Sequence, residues 1–417
     1  MSAPSLKVRY YLVAGFITGL ILKYFMLFYK GVFDMDAYYE WGRRTLDSNL
    51  ATGYGSIYFP LQYQIFEFCV WIGRVVGSSQ IPTFKSSNLV FDIGTFVVVL
   101  LLLKRERSNP AYALLYWLHP WFLSVFSLGY VDFHFSFFVM LSIYCLHNNT
   151  ARYYLLAGLP LAAAFLMKPQ AQILVVAAFF YAICHFVRTR SISAFAIFAG
   201  PVALFLGYEV YFAASGISTM GFKPAHVLPL SYLNIVNVFP SLSAQMPNIW
   251  YPIAYLLRKP GDPIYTVSDQ ILLLPHIPAR WLAAAAVLIA LAFLAWRVER
   301  DADATVGNKF LRIFGVASLL VPMFMTSAHE NHLFLGSIFL VLFFAMNRRL
   351  SVRVAIQILL AIQFLNLNGL YAEHPARLAA FLRRIHSEQA VVAYSVVSLL
   401  CFLTIFPHQI SQRPKSE

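Results

Sequence analysis

The chain has 417 residues, of which 60% are hydrophobic and only 12% are charged, and its formal net charge at neutral pH is +13. So few charged residues exclude an ordinary water-soluble domain of this length and predict an integral membrane protein. The excess of cations could suggest nucleic-acid binding, but the Lys and Arg residues lie in short segments beside apolar runs, where the positive-inside rule accounts for them. We therefore expect membrane lipid, and no nucleic acid, as a partner.

Apolar runs in chain order predict transmembrane helices. A bilayer-spanning helix needs about 20 residues, and several runs approach or reach that length. The runs do not alternate polar with apolar residues as strands of a barrel would, so helices are favoured. The predicted fold is all-α, a polytopic transmembrane helical bundle of about twelve spans whose outer loops carry interfacial helices. The predicted spans cover 9–29, 86–103, 110–127, 133–147, 153–167, 170–187, 192–214, 279–297, 308–326, 332–347, 351–370 and 390–407.

The segment 58–76 decides the predicted orientation. Gln62, Gln64, Glu67 and Arg74 give it more polar groups than a lipid-facing helix tolerates, so we interpret it as an interfacial helix. With that interpretation the clusters of Lys and Arg between spans all fall on the inner side, and both termini are cytoplasmic. The bacterial or archaeal cytoplasmic membrane is favoured, with the endoplasmic reticulum membrane as the eukaryotic equivalent.

Two outer segments are long enough to have structure of their own. Residues 30–85 contain the interfacial helix and a pair of acids, and residues 215–278 are rich in proline. The sequence contains no internal repeat and no separate soluble domain. We therefore expect a single integral membrane domain over 1–417.

Asp34 and Asp36 follow the first predicted span, at the depth where lipid headgroups meet water. A partly desolvated carboxylate there could take a proton from an acceptor hydroxyl as a general base. The same acids could instead cap an interfacial helix or lie in a hydrated loop. Trp41 follows on the same segment, and Tyr58 opens an aromatic-Pro-Leu string further along.

Other polar residues lie at the ends of predicted spans. Asp132 begins an aromatic span, where it could cap the helix or contact substrate. Lys168 precedes Pro169 and Gln170, and we expect its ammonium at the outer surface, where it could neutralise a phosphate or merely snorkel. Asp92 falls inside a span and must be paired, whether for stability or for catalysis.

His329, Glu330 and His332 begin a later predicted span. The two imidazoles, three positions apart, could hold a metal ion on a helix face, but no third ligand follows at a fixed spacing. A contact to phosphate or to a sugar hydroxyl is therefore preferred. We expect no required cofactor, with a divalent metal as the less favoured alternative.

These motifs together resemble the GT-C superfamily of membrane glycosyltransferases. The resemblance is to prokaryotic relatives of the GPI-anchor mannosyltransferases and of the dolichyl-phosphate-glucose-dependent glucosyltransferases. Its motifs, in the family's order, are the Asp34 to Trp41 separation and the strings Tyr58-Phe59-Pro60-Leu61, Gly129-Tyr130-Val131-Asp132, Lys168-Pro169-Gln170 and His329-Glu330-Asn331-His332.

The chain departs from the family pattern at three points. The first Pro of the aromatic-Pro-Pro-Leu string and the Gln of the Gly-Gln-x-Asp string are replaced, and no Arg or Lys follows the His-Glu pair. The last departure puts the contact to the donor phosphate in doubt. The residues that could substitute there are His332, Lys168, Arg377, Arg383 and Arg384.

The resemblance implies an inverting glycosyltransferase. Such an enzyme would move a hexose, with mannose favoured over glucose, from a polyprenyl-phosphate donor to a hydroxyl of a lipid or glycan acceptor on the outer or luminal face. In that role Asp34 is the general base and Asp36 orients the acceptor or sugar hydroxyls. The resemblance also implies that a further set of residues binds the substrate or donor, namely Trp41, Tyr58, Asp132, Lys168, Gln170, His329, Glu330, His332, Arg377, Arg383 and Arg384. Two alternatives stay open: a lipid-linked glycan polymerase or ligase that relies on outer-loop arginines, and a polytopic transporter or flippase.

Overall fold

The computed structural model describes residues 6–31, 34–55, 57–147, 151–216, 226–371 and 385–410. Helices dominate these residues. They are α1 (Leu6–Met26), α2 (Asp34–Asp47), α3 (Leu50–Gly53), α4 (Pro60–Val76), α5 (Gln80–Arg105), α6 (Ala113–Leu118), α7 (Pro120–Leu128), α8 (Asp132–Leu146), α9 (Ala151–Phe165), α10 (Gln172–Thr189), α11 (Ala199–Ser215), α12 (Val227–Val238), α13 (Trp250–Leu257), α14 (Ala279–Glu299), α15 (Val306–Phe324), α16 (Phe334–Met346), α17 (Leu350–Leu370) and α18 (Glu388–Ile410). Short 3₁₀ turns cover Pro110–Tyr112, Pro169–Ala171, Ser193–Phe198 and Ile264–Thr266, and strands β1 (Leu272–Leu274) and β2 (Ile277–Pro278) pair antiparallel.

Within the described residues, eight helices are long and apolar enough to cross a membrane, and the count becomes nine if α6 and α7 form one span bent by 45°. The chain is therefore a multi-pass integral membrane protein with an all-α fold, as the composition predicted. The eight helices are α1, α5, α10, α11, α14, α15, α17 and α18.

The predicted count of about twelve spans is not confirmed. One predicted span, 110–127, is the bent pair α6 and α7, which breaks where Pro120 cannot continue the hydrogen-bond ladder. Three others correspond to α8, α9 and α16, which have 15, 15 and 13 residues. The sequence already predicted these three spans to be short, and the helices are too short to count as spans by length.

The chain divides into two compact units. The first contains the described residues of Met1–Val175 and Arg190–Val238, and the second contains those of Val176–Thr189 and Phe239–Glu417. Each unit has its own apolar core and its own buried ion pairs.

In the first unit, buried ion pairing joins α1 to α5. Lys23 Nζ lies 2.6 Å from Asp92 Oδ2, and the Tyr116 hydroxyl donates to Asp92 Oδ1 at 2.5 Å. The Lys23 ammonium also stacks over the Trp117 ring, 3.3 Å from its centroid. The prediction that Asp92 must be paired is confirmed, and its partners are groups that hold the bundle together.

The start of α4 is fixed by its sequence and by a neighbouring helix end. Pro60 takes the first helical position, where its missing N–H costs nothing, and Phe59 before it is extended. The backbone N–H of Phe59 donates to Met167 O at 3.1 Å, and that of Leu61 donates to Leu166 O at 3.0 Å. The aromatic-Pro-Leu string is thereby joined to the end of α9, immediately before Lys168.

In the second unit, ion pairs join the ends of the helices. Glu299, the last residue of α14, accepts a hydrogen bond from Lys309 Nζ of α15 at 2.9 Å. Arg280, near the start of α14, binds Asp269 with two hydrogen bonds of 2.8 and 2.9 Å. Asp269 belongs to the second long predicted loop, so this bidentate pair anchors that loop to α14.

Candidate active site

The two acids after α1 begin α2 but lie in different surroundings. Residues two positions apart on a helix point about 200° away from each other. Asp36 is exposed, and its Oδ1 accepts a hydrogen bond from Gln80 Nε2 at 2.9 Å. Asp34 is half-buried on the side of Tyr38 and Tyr58. Both carboxylates also interact favourably with the positive end of α2, so the helix-terminal role foreseen from the sequence applies to them as well.

A pair of tyrosines lies beside Asp34. The hydroxyls of Tyr38 and Tyr58 are 3.4 Å apart, and the Tyr38 side chain is 1% exposed. Burial raises the pKa of Tyr38 well above its usual value, and the charges of Asp34 and Asp132 raise it further. Burial is also the largest cause of a raised pKa at Tyr58, where the same two acids add to it. Both phenols are therefore neutral hydrogen-bond donors at physiological pH.

Asp132 and Lys168 form a buried ion pair. Lys168 Nζ lies 2.7 Å from Asp132 Oδ1, and the two side chains are 6% and 1% exposed. The expectation that the Lys168 ammonium reaches the outer surface is wrong, because Asp132, which opens α8, gives it a buried partner. The ammonium lies 5.9 Å from the centroid of the Tyr58 ring, so the pair belongs to the same cluster as the tyrosines.

Lys85 of α5 ties together the two chain segments that lead to these acids. Its ammonium donates to the carbonyls of Met26 at 3.0 Å and Tyr29 at 2.5 Å, and to that of Ser127 at 2.5 Å. The first two carbonyls end α1 shortly before Asp34, and the third ends α7 shortly before α8. One buried cation thus fixes both approaches to the cluster, and sequence reasoning missed it because its partners are backbone atoms distant in the chain.

A chain of buried polar side chains supports the start of α8. Gln62 Nε2 and His134 Nδ1 are 3.0 Å apart, and His134 Nε2 is 3.2 Å from the Ser87 hydroxyl. Asn88 Nδ2 donates to Tyr130 O at 3.0 Å, in the turn before α8. The only sequence signal for His134 is a single imidazole in an aromatic run, which gave no reason to select it.

Trp41 packs behind the tyrosine pair. Its ring centroid lies 6.0 Å from that of Tyr38, 5.9 Å from Tyr58, 5.7 Å from Tyr63 and 6.1 Å from Phe66. These contacts join α2 to α4 and hold the two tyrosines in place. A direct contact between Trp41 and a donor substrate stays a prediction.

Gln170 lies in the 3₁₀ turn that follows Lys168. Its Oε1 is buried and accepts no hydrogen bond from the described part of the chain. A buried amide oxygen without a donor is costly, so this atom is suited to accept a hydrogen bond from a hydroxyl of a ligand.

The His-Glu string lies in the second unit, just before α16. Glu330 is 4% exposed and accepts a hydrogen bond from the Tyr371 hydroxyl at 2.8 Å. His332 Nδ1 accepts from the backbone N–H of His329 at 3.2 Å, and the His329 ring meets that of Phe239 edge-on at 4.7 Å. The structure brings these residues together, and their contact to a donor stays a prediction.

Arg377, Arg383 and Arg384 lie outside the described residues. Among the residues that are described, no group of three or more His, Cys, Asp or Glu side chains could hold a metal ion.

The cluster in the first unit combines three chemical properties. A half-buried carboxylate, Asp34, can accept a proton. Tyr38 and Tyr58 supply neutral O–H donors, and Lys168 supplies a cation whose position Asp132 fixes. Such a set of side chains can take a proton from a hydroxyl and stabilise a developing anion.

No protein-family model matches the sequence, and no curated protein is significantly similar to it.

Proposed function

We propose that this protein is an inverting glycosyltransferase. It moves a hexose, mannose in preference to glucose, from a polyprenyl-phosphate donor to a hydroxyl of a lipid or glycan acceptor. The proposal is supported above all by the cluster of Asp34, Tyr58, Asp132 and Lys168, which lie far apart in the sequence and meet in one unit. These are residues that the resemblance to GT-C glycosyltransferases had selected.

The proposed reaction is a single displacement at the anomeric carbon. Asp34 takes the proton of the acceptor hydroxyl while the acceptor oxygen forms a bond to that carbon. The bond between the anomeric carbon and the phosphate oxygen breaks on the opposite face, and its electron pair stays with the polyprenyl phosphate. Attack and departure on opposite faces invert the anomeric configuration, and the phosphate leaves with one more negative charge.

Lys168 is the proposed partner of the leaving phosphate. An ammonium has three N–H donors, and Asp132 accepts one of them, so two are available for phosphate oxygens. The Tyr58 ring lies 5.9 Å from the ammonium, and its neutral hydroxyl is proposed as a further donor. Donors that are already in place where charge develops lower the barrier because they need not reorganise.

Asp36, Trp41 and Gln170 have supporting roles in the proposal. Asp36 orients hydroxyls from the exposed side of α2, and Gln170 accepts a hydrogen bond from the sugar. Trp41 stabilises the tyrosine pair. The other predicted substrate contacts rest on the resemblance alone. They are those of His329, Glu330, His332, Arg377, Arg383 and Arg384.

The proposed location is a bacterial or archaeal cytoplasmic membrane, with both termini in the cytoplasm and the reaction on the outer face. This orientation is supported by the distribution of Lys and Arg between the spans. With this orientation, Asp34 and Asp36 lie on the same side of the membrane as the proposed polyprenyl-phosphate donor.

The reaction class is tested with purified protein in detergent. The donor is a short-chain polyprenyl phosphate that carries labelled mannose or glucose, and the acceptor is a membrane lipid extract. We expect transfer of one of the two sugars to a lipid product whose anomeric configuration, determined by NMR, is opposite to that of the donor. No transfer of either sugar by a folded, monodisperse sample would contradict the proposal and favour a transporter or a polymerase.

The role of Lys168 is tested by donor affinity in the double variant Asp132→Asn/Lys168→Met, which contains no unpaired buried charge. We expect the Kd for the polyprenyl-phosphate donor to rise by about tenfold or more, as loss of a charged hydrogen bond to phosphate predicts. A Kd equal to that of the wild type would remove Lys168 from the donor site.

A further inference from the structure

A concave feature of the first unit lies apart from the acid cluster. It is a groove of about 590 Å³ between the end of α2, the start of α3, one side of α4 and one side of α11. None of the described residues that line it belongs to the cluster around Asp34. Its volume is within the range of small-molecule binding sites.

One wall of the groove belongs to a membrane-spanning helix. Leu204 and Tyr211 of α11 line the groove, and each is 41% exposed. Apolar side chains exposed on a spanning helix contact lipid chains, so this wall is continuous with the lipid-facing surface. The opposite wall carries Ser48, Asn49 and Gln64. A ligand that fits both walls is therefore amphiphilic.

The charge of the groove excludes a phosphate headgroup as its ligand. Among the described residues that line the groove, Glu67 is the one charged side chain, and none is Lys, Arg or His. Burial raises the pKa of Glu67, and in the described part of the chain no group donates a hydrogen bond to its carboxylate. A partly buried acceptor of this kind repels an anion and favours a hydroxyl donor.

Gln64 adds a second polar contact. Its Oε1 accepts a hydrogen bond from the Tyr208 hydroxyl at 2.6 Å, which fixes the amide and leaves its two N–H donors for a ligand. An acceptor carboxylate and a donor amide one turn apart on α4 are the usual partners of vicinal hydroxyls.

We propose that this groove binds the acceptor, and that the acceptor is a membrane lipid with a neutral, hydroxyl-bearing headgroup. Its acyl chains lie along α11, and its hydroxyls bond to Glu67 and Gln64. The identification of the ligand as the acceptor rests on the proposed function, while the anionic donor binds at Lys168.

The distance between the two sites bears on the size of the headgroup. Thr45 lines the groove, and Asp34 begins the same helix. At 1.5 Å per residue these positions are about 17 Å apart along the axis of α2. A lipid held in the groove must span this distance to present a hydroxyl to Asp34, so its headgroup is an oligosaccharide and not a single sugar.

Gly207 offers a way to fill the groove without disturbing the fold. It lines the groove on α11, and a Cβ added there would meet nothing within 4 Å. Leu favours a helix more than Gly does, so Gly207→Leu should leave α11 intact and occupy the space of the ligand. Ala213→Leu is the matched control, because Ala213 is also exposed on α11 but does not line the groove.

Binding is tested in nanodiscs that contain a photoreactive dihexosyl diacylglycerol, with photoreactive phosphatidylglycerol as the anionic comparison. We expect the glycolipid to label α4 and α11 of the wild type and of Ala213→Leu. Labelling should fall about tenfold in Gly207→Leu and in Glu67→Gln, while phosphatidylglycerol labels these helices weakly in every variant. Full labelling of Gly207→Leu, or equal labelling by the anionic lipid, would overturn the proposal.

Kinetics separate this proposal from the proposed function. If the wild type transfers sugar, Gly207→Leu should have a raised KM for the acceptor and an unchanged KM for the donor. Transfer with an unchanged acceptor KM would overturn the groove as the acceptor site. Glycolipid labelling that Gly207→Leu abolishes, in a protein that transfers no sugar, would support the groove as a glycolipid site and refute the glycosyltransferase.

Discussion

The buried ion pair of Asp132 and Lys168 makes a quantitative prediction about stability. The side chains are 1% and 6% exposed, so removal of either charge leaves the other buried and unpaired. Such a loss typically costs about 3–5 kcal/mol. We therefore expect both Asp132→Asn and Lys168→Met to destabilise the first unit severely.

The same unit contains a matched control. Arg74 Nη1 and Asp47 Oδ1 are also 2.7 Å apart, but these side chains are 47% and 40% exposed. Exposed pairs contribute little to stability, because water screens both charges before and after the change. Arg74→Met should therefore have little effect, although the distance between the charged atoms is the same.

Thermal unfolding in detergent measures the difference. Cys69 is a buried free thiol in the first unit, so in a background in which Cys145, Cys184 and Cys401 are replaced by Ala a thiol-reactive fluorogenic dye reports when that unit opens. For a unit of this size, about 3–5 kcal/mol corresponds to a fall in Tm on the order of 10 °C. Arg74→Met should unfold within about 2 °C of the wild type.

The double variant Asp132→Asn/Lys168→Met completes the cycle. It contains no unpaired buried charge, so we expect it to recover most of the loss seen in either single variant. Single variants as stable as the wild type would refute the reasoning from burial. So would a double variant that is less stable than both single variants.

Three further predictions concern the first unit. Lys85→Met leaves three backbone carbonyls without their cation, so the Tm should fall by several degrees and turnover should fall with it. A Tm equal to that of the wild type would contradict this prediction. Gly129 has a φ of +84°, and a Cβ there would lie 2.5 Å from Met35 Sδ. Gly129→Ala should therefore cost at least about 1–2 kcal/mol of stability in the same dye assay. An unchanged Tm would contradict this prediction and show that the turn adapts. Burial raises the pKa of Tyr38 and Tyr58, so the folded state holds their protons more tightly than the unfolded state. This stabilisation is present below a pH of about 10 and is lost as the pH rises further. The alkaline fall in Tm should be smaller in Tyr38→Phe than in the wild type, and an equal fall would refute the assignment.

The apolar spans were predictable because their length and composition are local properties of the sequence. Eight of the predicted spans coincide with helices that are long enough to cross a membrane. The boundaries were less predictable. The predicted span 86–103 is part of a longer helix, α5, whose polar first turns are stable because Lys85 and Asn88 find buried backbone partners. Such partners cannot be read from hydropathy.

Asp34, Tyr58, Asp132 and Lys168 could be selected from the sequence, but Tyr38, Lys85 and the arrangement of the cluster could not. Asp34 and Asp36 were distinguished in the sequence only by the resemblance, and their surroundings differ in the structure because α2 turns one toward Tyr58 and the other toward Gln80. The partner of Lys168 lies 36 positions away in the chain, so its pairing depends on tertiary packing alone.

The kcat for sugar transfer in Asp34→Asn and Asp36→Asn tests the central claim most directly. General-base catalysis typically contributes about 10²–10⁴-fold, so Asp34→Asn should lose that factor at an unchanged donor KM, while Asp36→Asn retains most of the turnover. Turnover near the wild type in Asp34→Asn, with its loss in Asp36→Asn, would contradict the assignment of Asp34 as the base.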